Sequence, residues 1–134
     1  MTAPMDTPKD YVILELNHIA LDVSDVEASR LFYRDVLGLL ELPRPAFPFP
    51  GAWFRLGSLQ ELHLIGERER TGSVRSGHFA LLVNDLDAVA SRLCAAGVGF
   101  RGPKPRPDGA GQLFTADPDG NVIEFTSGLP GRSI

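Results

Sequence analysis

Residues 77–88, GHFALLVNDLDA, repeat a stretch that the chain has already used at residues 17–28, NHIALDVSDVEA. The two copies align without a gap at an offset of 60 residues (78 − 18 = 60), and 6 of their 12 positions are identical. Each copy alternates between two faces as a β-strand does, and then reaches an aspartate that can cap a helix. Each copy therefore predicts a strand that leads into a helix. A histidine, His18 or His78, lies near the strand start on the face opposite the apolar one.

The rest of the chain repeats the same order of elements. In the first unit, residues 11–23 favour strand, a helix from Val26 to Leu37 stops at Gly38, and residues 39–42 favour a short strand. Four prolines then predict a loop over residues 43–50, and residues 52–56 and 60–65 predict a hairpin. The charged residues 66–76 have no apolar periodicity and are interpreted as a linker.

The second unit predicts a strand at 79–83, a helix at 85–96 ended by Gly97, a strand at 98–101 and a Pro/Gly-rich loop at 102–111. A final hairpin follows, and its turn at residues 117–120, DPDG, has the chemistry of a type I turn. Aligning Phe54 with Phe114 keeps the offset of 60, whereas aligning His63 with Glu124 needs 61 (124 − 63 = 61). One extra residue in the second turn accounts for the difference.

Composition excludes several classes of function. The 134 residues suffice for one compact domain, and a net charge of −4 argues against nucleic acid as a partner. No apolar run is long enough to cross a membrane, and residues 1–10 are expected to be a disordered lead. The single cysteine, Cys94, cannot form an internal disulfide, which fits a cytoplasmic protein, and its apolar neighbours predict a small core residue. Tyr33 is expected to be structural for the same reason.

Two tandem βαβββ units resemble the vicinal oxygen chelate superfamily, which includes glyoxalase I, methylmalonyl-CoA epimerase, fosfomycin-resistance thiol transferases, bleomycin-binding proteins and extradiol dioxygenases. The most specific motifs are NHIAL at 17–21, FYRDVLGL at 32–39 and DPDGNVIEF at 117–125. The resemblance implies an α+β fold in which two modules form a cupped mixed sheet. It gives a single domain at 11–134, with module one at 11–66 and module two at 76–127. It also implies a homodimer, in which each cup is sometimes built from one module of each chain.

The histidines predict a metal centre. The chain has three, His18, His63 and His78, and all fall on predicted strands. A pseudo-twofold relation between the modules pairs His18 with His78 and His63 with Glu124, so that both pairs point into one shared cup. Three imidazoles and one carboxylate suit one divalent ion such as Zn²⁺, Ni²⁺, Fe²⁺, Co²⁺ or Mn²⁺.

The superfamily places ligands at the strand positions of His18, His78 and Glu124. At position 63, glyoxalase-like members usually carry Glu and epimerases Gln, and Glu61 lies two residues earlier on the same face. The internal alignment favours His63 over Glu61 as the fourth ligand. This replacement argues against a glyoxalase I activity.

The resulting hypothesis is a cytoplasmic metal-dependent glyoxalase-like enzyme, a lyase, isomerase or transferase that acts on a small oxygenated or thiol-conjugated molecule. Glu124 would serve as the catalytic base. Trp53 and Arg55 share a strand face and would contact an anionic substrate, unless they are an edge aromatic and a solvated arginine. The alternatives are an extradiol dioxygenase and a non-catalytic antibiotic-binding protein.

Two further groups of residues are candidates for contact with a ligand. Arg101, Lys104 and Arg106 would either gather an anion at the mouth of the cup or remain solvated. Phe47 and Phe49, in the proline-rich loop, would cover the site or a partner chain.

Overall fold

Two βαβββ modules follow one another in the computed structural model, which describes residues 10–68 and 77–128. Module one contains β1 (His18–Asp22), α1 (Val26–Leu31), a π-helical turn that continues α1 (Phe32–Val36), β2 (Glu41–Leu42), β3 (Gly51–Leu56) and β4 (Gln60–Ile65). Module two contains β5 (His78–Leu82), α2 (Leu86–Ala95), β6 (Phe100–Pro105), β7 (Gly111–Ala116) and β8 (Val122–Thr126).

Each module forms one four-stranded mixed sheet, in the order β1-β4-β3-β2 in module one and β5-β8-β7-β6 in module two. β1 runs parallel to β4, and β5 runs parallel to β8, whereas the remaining neighbouring strands are antiparallel. The register is the same in both sheets, because Ala20 lies opposite His63 and Ala80 lies opposite Glu124. The predicted α+β fold of two related modules is therefore confirmed, including the equivalence of His63 and Glu124.

Alternation along the strands separates an apolar face from a polar one. The apolar faces of both sheets and both helices meet in one core, which includes Phe54, Leu62 and Leu64 from module one and Leu93 and Ile123 from module two. Each of these side chains is fully or almost fully buried, and burial of one such side chain contributes roughly 1.5–3 kcal/mol. The opposite, polar face of each sheet is left free to form a ligand site.

Both helices begin where their sequences predict, but the helix predicted over Val26 to Leu37 is α-helical only to Leu31 and continues as a π-helical turn to Val36. The side chains of Asp25 and Asp85 accept hydrogen bonds from the third backbone N–H that follows each of them, at 3.1 and 3.0 Å. Gly38 and Gly97 follow the two helical segments with φ of 76° and 72°, a conformation that glycine adopts without strain.

The DPDG turn joins the two modules. The backbone N–H of Gly120 donates to the carbonyl oxygen of Asp117 at 2.9 Å, which closes the predicted turn. The buried carboxylate of Asp117 accepts a hydrogen bond from the Tyr33 hydroxyl at 2.7 Å. Asp119 accepts hydrogen bonds from the backbone N–H and the hydroxyl of Ser24, at 3.1 and 2.6 Å. The second module therefore holds the start of α1 and the π-helical turn of the first, and Tyr33 is structural, as expected.

Three sequence-based expectations are wrong in detail. Only His18–Asp22 of the predicted strand 11–23 forms β1, because the parallel strand β4 begins at Gln60 and offers no partner to residues 11–16. The predicted loop 102–111 is shorter, since β6 continues to Pro105 through a register shift. Prolines are tolerated there because β6 is an edge strand. Cys94 is exposed, because Leu93 takes the inward-facing position on α2.

Residues 1–9 of the lead predicted at 1–10 and residues 69–76 of the linker predicted at 66–76 lie outside the described residues. Within residues 10–68 and 77–128, no helix is long and apolar enough to cross a membrane.

Candidate metal centre

The polar face of module one carries two stacked imidazoles. The rings of His18 and His63 lie 4.2 Å apart at 18°, on the neighbouring strands β1 and β4. His18 Nδ1 lies 2.8 Å from the side-chain oxygen of Asn17, which can accept a hydrogen bond from it. His63 Nε2 lies 2.9 Å from Glu61 Oε1, which can likewise accept a hydrogen bond. The second nitrogen of each ring lies outside these contacts and is the one that could bind a metal.

The equivalent face of module two carries an imidazole and a buried carboxylate. His78 Nε2 lies 3.0 Å from Glu124 Oε1, and the amide of Gln112 donates to Glu124 Oε2 at 3.3 Å. Glu124 is only 5% exposed. Across the described residues, no lysine or arginine forms an ion pair with it. A buried carboxylate with so little positive charge beside it is costly, and a bound cation would offset that cost.

The predicted ligands are therefore brought together as two pairs. His18 lies beside His63, and His78 lies beside Glu124, each pair on the polar face of its own sheet. In the part of the chain that the structure describes, no three His, Cys, Asp or Glu side chains come together as a group able to hold one ion. Across the described residues the predicted donors thus form two separate pairs, here called half-sites, and the structure does not bring them into the shared cup expected from the sequence.

Beside the imidazoles of module one lies a cavity of about 150 Å³. Trp53 stacks on His63, with ring centroids 3.9 Å apart at 3°, and Phe47 lies against Trp53 at 6.1 Å. The expectation that Phe47 and Phe49 cover the site is consistent with this arrangement, because both line the cavity. The remaining lining residues are His18, Ala20, Arg44, Leu64 and Ile65.

The two residues predicted to contact substrate are placed differently. Trp53 lines the cavity, whereas Arg55 is not among the lining residues and donates through Nη1 to the backbone oxygen of Ser58 at 3.0 Å. Arg44 lines the cavity instead and was not identified from the sequence. Its only sequence signal is a cation between the prolines of an aromatic loop, which does not indicate where the loop folds.

The cationic residues of module two are largely committed to other contacts. The guanidinium of Arg106 holds two hydrogen bonds to Asp108, at 2.9 and 2.6 Å, and these bonds lower the pKa of the Asp108 carboxyl. Arg101 lies over the ring of Phe114 at 5.5 Å, beside a cavity of about 250 Å³ that both residues line. Arg106 is thus held by a carboxylate of its own loop, whereas no ion pair of Arg101 or Lys104 is found within the described residues.

Paired βαβββ modules, with imidazole and carboxylate donors at equivalent strand positions, define a glyoxalase-like protein. The chain belongs to the Glyoxalase/Bleomycin resistance protein/Dioxygenase superfamily, whose family profile matches residues 15–125. The resemblance seen in the sequence is thereby confirmed. Members of this superfamily generally use a divalent metal and act on small molecules.

Individual relatives agree with this assignment. The chain is 29% identical over 123 residues to Glyoxylase I 4 of Arabidopsis thaliana, an alignment that covers 84% of this chain and 70% of the relative. The structure of a glyoxalase family protein from Bacillus anthracis superposes with a TM-score of 0.76 at 29% identity, covering 88% of this chain and 98% of that one. The structure of lactoylglutathione lyase from Agrobacterium tumefaciens gives a TM-score of 0.67 at 27% identity, with coverage of 89% and 94%.

Proposed function

We propose that the protein is a metal-dependent, glyoxalase-like lyase, isomerase or transferase that acts on a small oxygenated or thiol-conjugated substrate. One observation carries the proposal: the buried Glu124 beside His78 occupies the same register position in its sheet as His63 does beside His18. Two sets of donors at symmetry-related places are difficult to explain as independent structural pairs. They are the donor types that Zn²⁺, Ni²⁺, Fe²⁺, Co²⁺ and Mn²⁺ bind in proteins.

The residues present fit a divalent cation as two half-sites. His18 and His63 each have a ring nitrogen that lies outside their hydrogen bonds, and Glu124 is a buried carboxylate without a lysine or arginine ion pair among the described residues. The proton between His78 and Glu124 would be displaced when a cation binds, so binding should release protons. His18, His63, His78 and Glu124 are the residues that would hold the ion.

We infer that the complete site is assembled from two chains of a homodimer, with module one of one chain facing module two of the other. The separation of the donors into two pairs within one chain supports this arrangement. So does the position of β1 and β5, which carry His18 and His78 and are both edge strands. Their outer edges are open to a second sheet.

The chemistry would begin with proton transfer. When bound, the metal ion polarises a substrate oxygen and makes an adjacent proton more acidic. Glu124 would take that proton on leaving the metal, and Gln112 and His78 contact its two carboxylate oxygens. Trp53, stacked on His63, excludes water from one side of the imidazole pair. These residues supply the base and the dry surface that enolisation or thiol addition requires.

Metal analysis tests the proposal directly. Protein purified without chelator should hold about one divalent ion per site, and His18→Ala or Glu124→Gln should each reduce occupancy severalfold. Glu27→Gln, which removes an exposed carboxylate on α1, is the matched control and should leave occupancy unchanged. Binding that is weak and insensitive to both ligand substitutions would refute the metal centre.

A ring-cleaving dioxygenase is the second candidate, and the surroundings of His63 favour it. His63 is hydrogen-bonded to Glu61 and stacked between His18 and Trp53, an arrangement that would also suit a residue outside the metal's coordination shell. The three remaining donors, His18, His78 and Glu124, are the two-His, one-carboxylate set of non-haem iron oxygenases. Oxygen uptake with a catechol, dependent on iron and retained in His63→Ala, would support this candidate over the first.

A further inference from the structure

We propose that the cavity of module one binds the oxyanion of a small aromatic substrate, and that Arg44 is the residue that recognises the charge. This proposal deepens the proposed function, because it names the substrate class of the same site and rests on that function for the chemistry. The contacts around Arg44 support the proposal, and Arg44 itself has no role in the proposed metal site.

Arg44 lies against two aromatic rings of its own loop. Its guanidinium carbon lies 5.0 Å from the ring centroids of both Phe47 and Phe49, and the two rings are stacked on each other at 5.4 Å and 24°. The Nη2 group donates to the backbone oxygen of Phe49 at 2.8 Å. Contacts to the π-faces leave the edge of the guanidinium, with its N–H donors, as the part that can bind a ligand.

The charge of Arg44 is not matched by a carboxylate. No ion pair of Arg44 is found within residues 10–68 and 77–128, and its buried Nε atom has no hydrogen-bond partner there. By contrast, the two arginines in the helical region of module one form ion pairs. Arg30 pairs with Glu27 and Glu41, and Arg34 pairs with Asp35. A partly desolvated guanidinium without a counterion favours the binding of an anion.

The cavity beside Arg44 is lined mainly by rings. Trp53, Phe47 and Phe49 form its aromatic wall, and His18 and His63 lie at the side that would face the metal. Its volume of about 150 Å³ is close to that of apolar protein cavities that bind a single benzene ring. A ligand that fits both features has one planar apolar ring and one carboxylate or phosphonate group.

This assignment differs from the substrate role that the sequence suggested for Arg55. Arg55 also has a buried Nε atom without a partner, but it is not among the residues that line the cavity, and its Nη1 is used by the Ser58 carbonyl. The two arginines therefore form a natural pair for comparison. They lie in the same module and differ chiefly in their access to the cavity.

Trp53 provides a probe, since it is the only tryptophan of the chain and it lines the cavity. Tryptophan fluorescence of the full-length protein in chelator is titrated with benzoate, phenylphosphonate and the neutral isostere benzamide. Benzoate or phenylphosphonate should bind about tenfold or more tightly than benzamide, as expected when a charge-assisted hydrogen bond is lost. Tighter binding of either anion supports the proposal, and their ratio distinguishes a carboxylate from a phosphonate substrate.

Substitutions of single arginines test which residue causes the preference for the anion. Arg44→Gln should remove the preference for the anion, while Arg34→Gln, which deletes an equal charge on the helical surface, should keep it. Arg44→Lys retains the charge without the planar guanidinium and should recover part of the preference, provided that circular dichroism shows a folded protein. Equal affinity for benzoate and benzamide, or a preference that Arg55→Gln removes and Arg44→Gln retains, would overturn the proposal.

The measurement is made without metal, so that its outcome is independent of the metal centre. If ions fail to bind but the preference for the anion persists, the metal-dependent function is wrong and the role of Arg44 stands. If ions bind as expected but the preference is absent, the proposed function stands and Arg44 does not recognise the substrate.

Discussion

At the scale of single residues, Tyr33 is a direct chemical link between the modules. Its side chain is fully buried, and its hydroxyl donates to the buried Asp117 carboxylate at 2.7 Å. A hydrogen bond to a charged acceptor contributes about 1.5–3 kcal/mol. Asp117 keeps further partners in the backbone N–H groups of Asp119 and Asn121, at 2.9 and 2.8 Å, so losing Tyr33 would not leave it without any donor.

Tyr33→Phe should therefore lower the free energy of unfolding by about 1.5–3 kcal/mol with little change in shape. Urea unfolding followed by circular dichroism measures the difference. The chain has only one other tyrosine, Tyr11, which is 64% exposed, so Tyr11→Phe is the matched control and should change stability by less than about 0.5 kcal/mol. Equal effects of the two substitutions would contradict a special role for Tyr33.

The same residue predicts a dependence of stability on pH. Burial, and then the negative charge of Asp117, raises the pKa of Tyr33 far above its ordinary value. A group with a raised folded-state pKa contributes stability that is complete below its unfolded pKa of about 10 and is lost as pH rises beyond it. The wild-type protein should lose stability above about pH 10 more steeply than Tyr33→Phe. Parallel curves of unfolding free energy against pH would refute this linkage.

At the scale of elements, the sequence predicts what is local and repeated. The two histidine strands are offset by 60 residues, and His63 and Glu124 by 61, and these offsets predict the matching register of the two sheets. The capping residues Asp25 and Asp85 predict where the helices start. These features follow from alternation and from capping chemistry, which neighbouring residues determine.

Features that depend on distant contacts were not predictable. Arg44 reaches the cavity because a proline-rich loop folds back over β3, and no periodicity encodes that path. The separation of the donors into two pairs depends on how the modules pack, which the symmetry of the sequence leaves open. Pro103 and Pro105 lie in a strand because β6 happens to be an edge.

The segment before β1, residues 11–17, exposes a row of large apolar side chains. Tyr11, Val12, Ile13, Leu14 and Leu16 are between 64% and 88% exposed, although Gln60 donates to the Glu15 carboxylate and the Glu61 N–H donates to the Asn17 carbonyl oxygen, both at 3.0 Å. So large an apolar surface next to an open strand edge is typical of an interface between chains. The interface of the proposed homodimer would then lie beside His18 and the candidate metal centre.

Ile13→Lys should therefore weaken the proposed homodimer while leaving the fold of each chain intact, because Ile13 is 77% exposed within the chain. Sedimentation velocity should show a shift toward the monomer, with unchanged circular dichroism. Leu59→Lys is the matched control, since Leu59 is similarly exposed, at 67%, but lies in the β3–β4 turn. Dissociation by both substitutions, or by neither, would remove this segment from the interface.

At the scale of the whole molecule, the two half-sites allow the assembly to be tested by combining inactive chains. His18→Ala damages module one, and Glu124→Gln damages module two. If each site combines module one of one chain with module two of the other, a heterodimer of these variants contains one site with both defects and one site with none.

Differently tagged copies of the two variants can be co-expressed, and the heterodimer isolated by sequential affinity steps. It should bind about one metal ion per dimer, against about two for the wild type, whereas each variant homodimer should bind far less because both of its sites carry a defect. Sites formed within single chains predict the opposite, since each chain would then carry its own defect and the heterodimer would bind no more than the homodimers. Recovery of metal binding in the heterodimer would thus show that each site takes ligands from two chains. Absence of recovery would indicate that all four ligands of a site come from one chain.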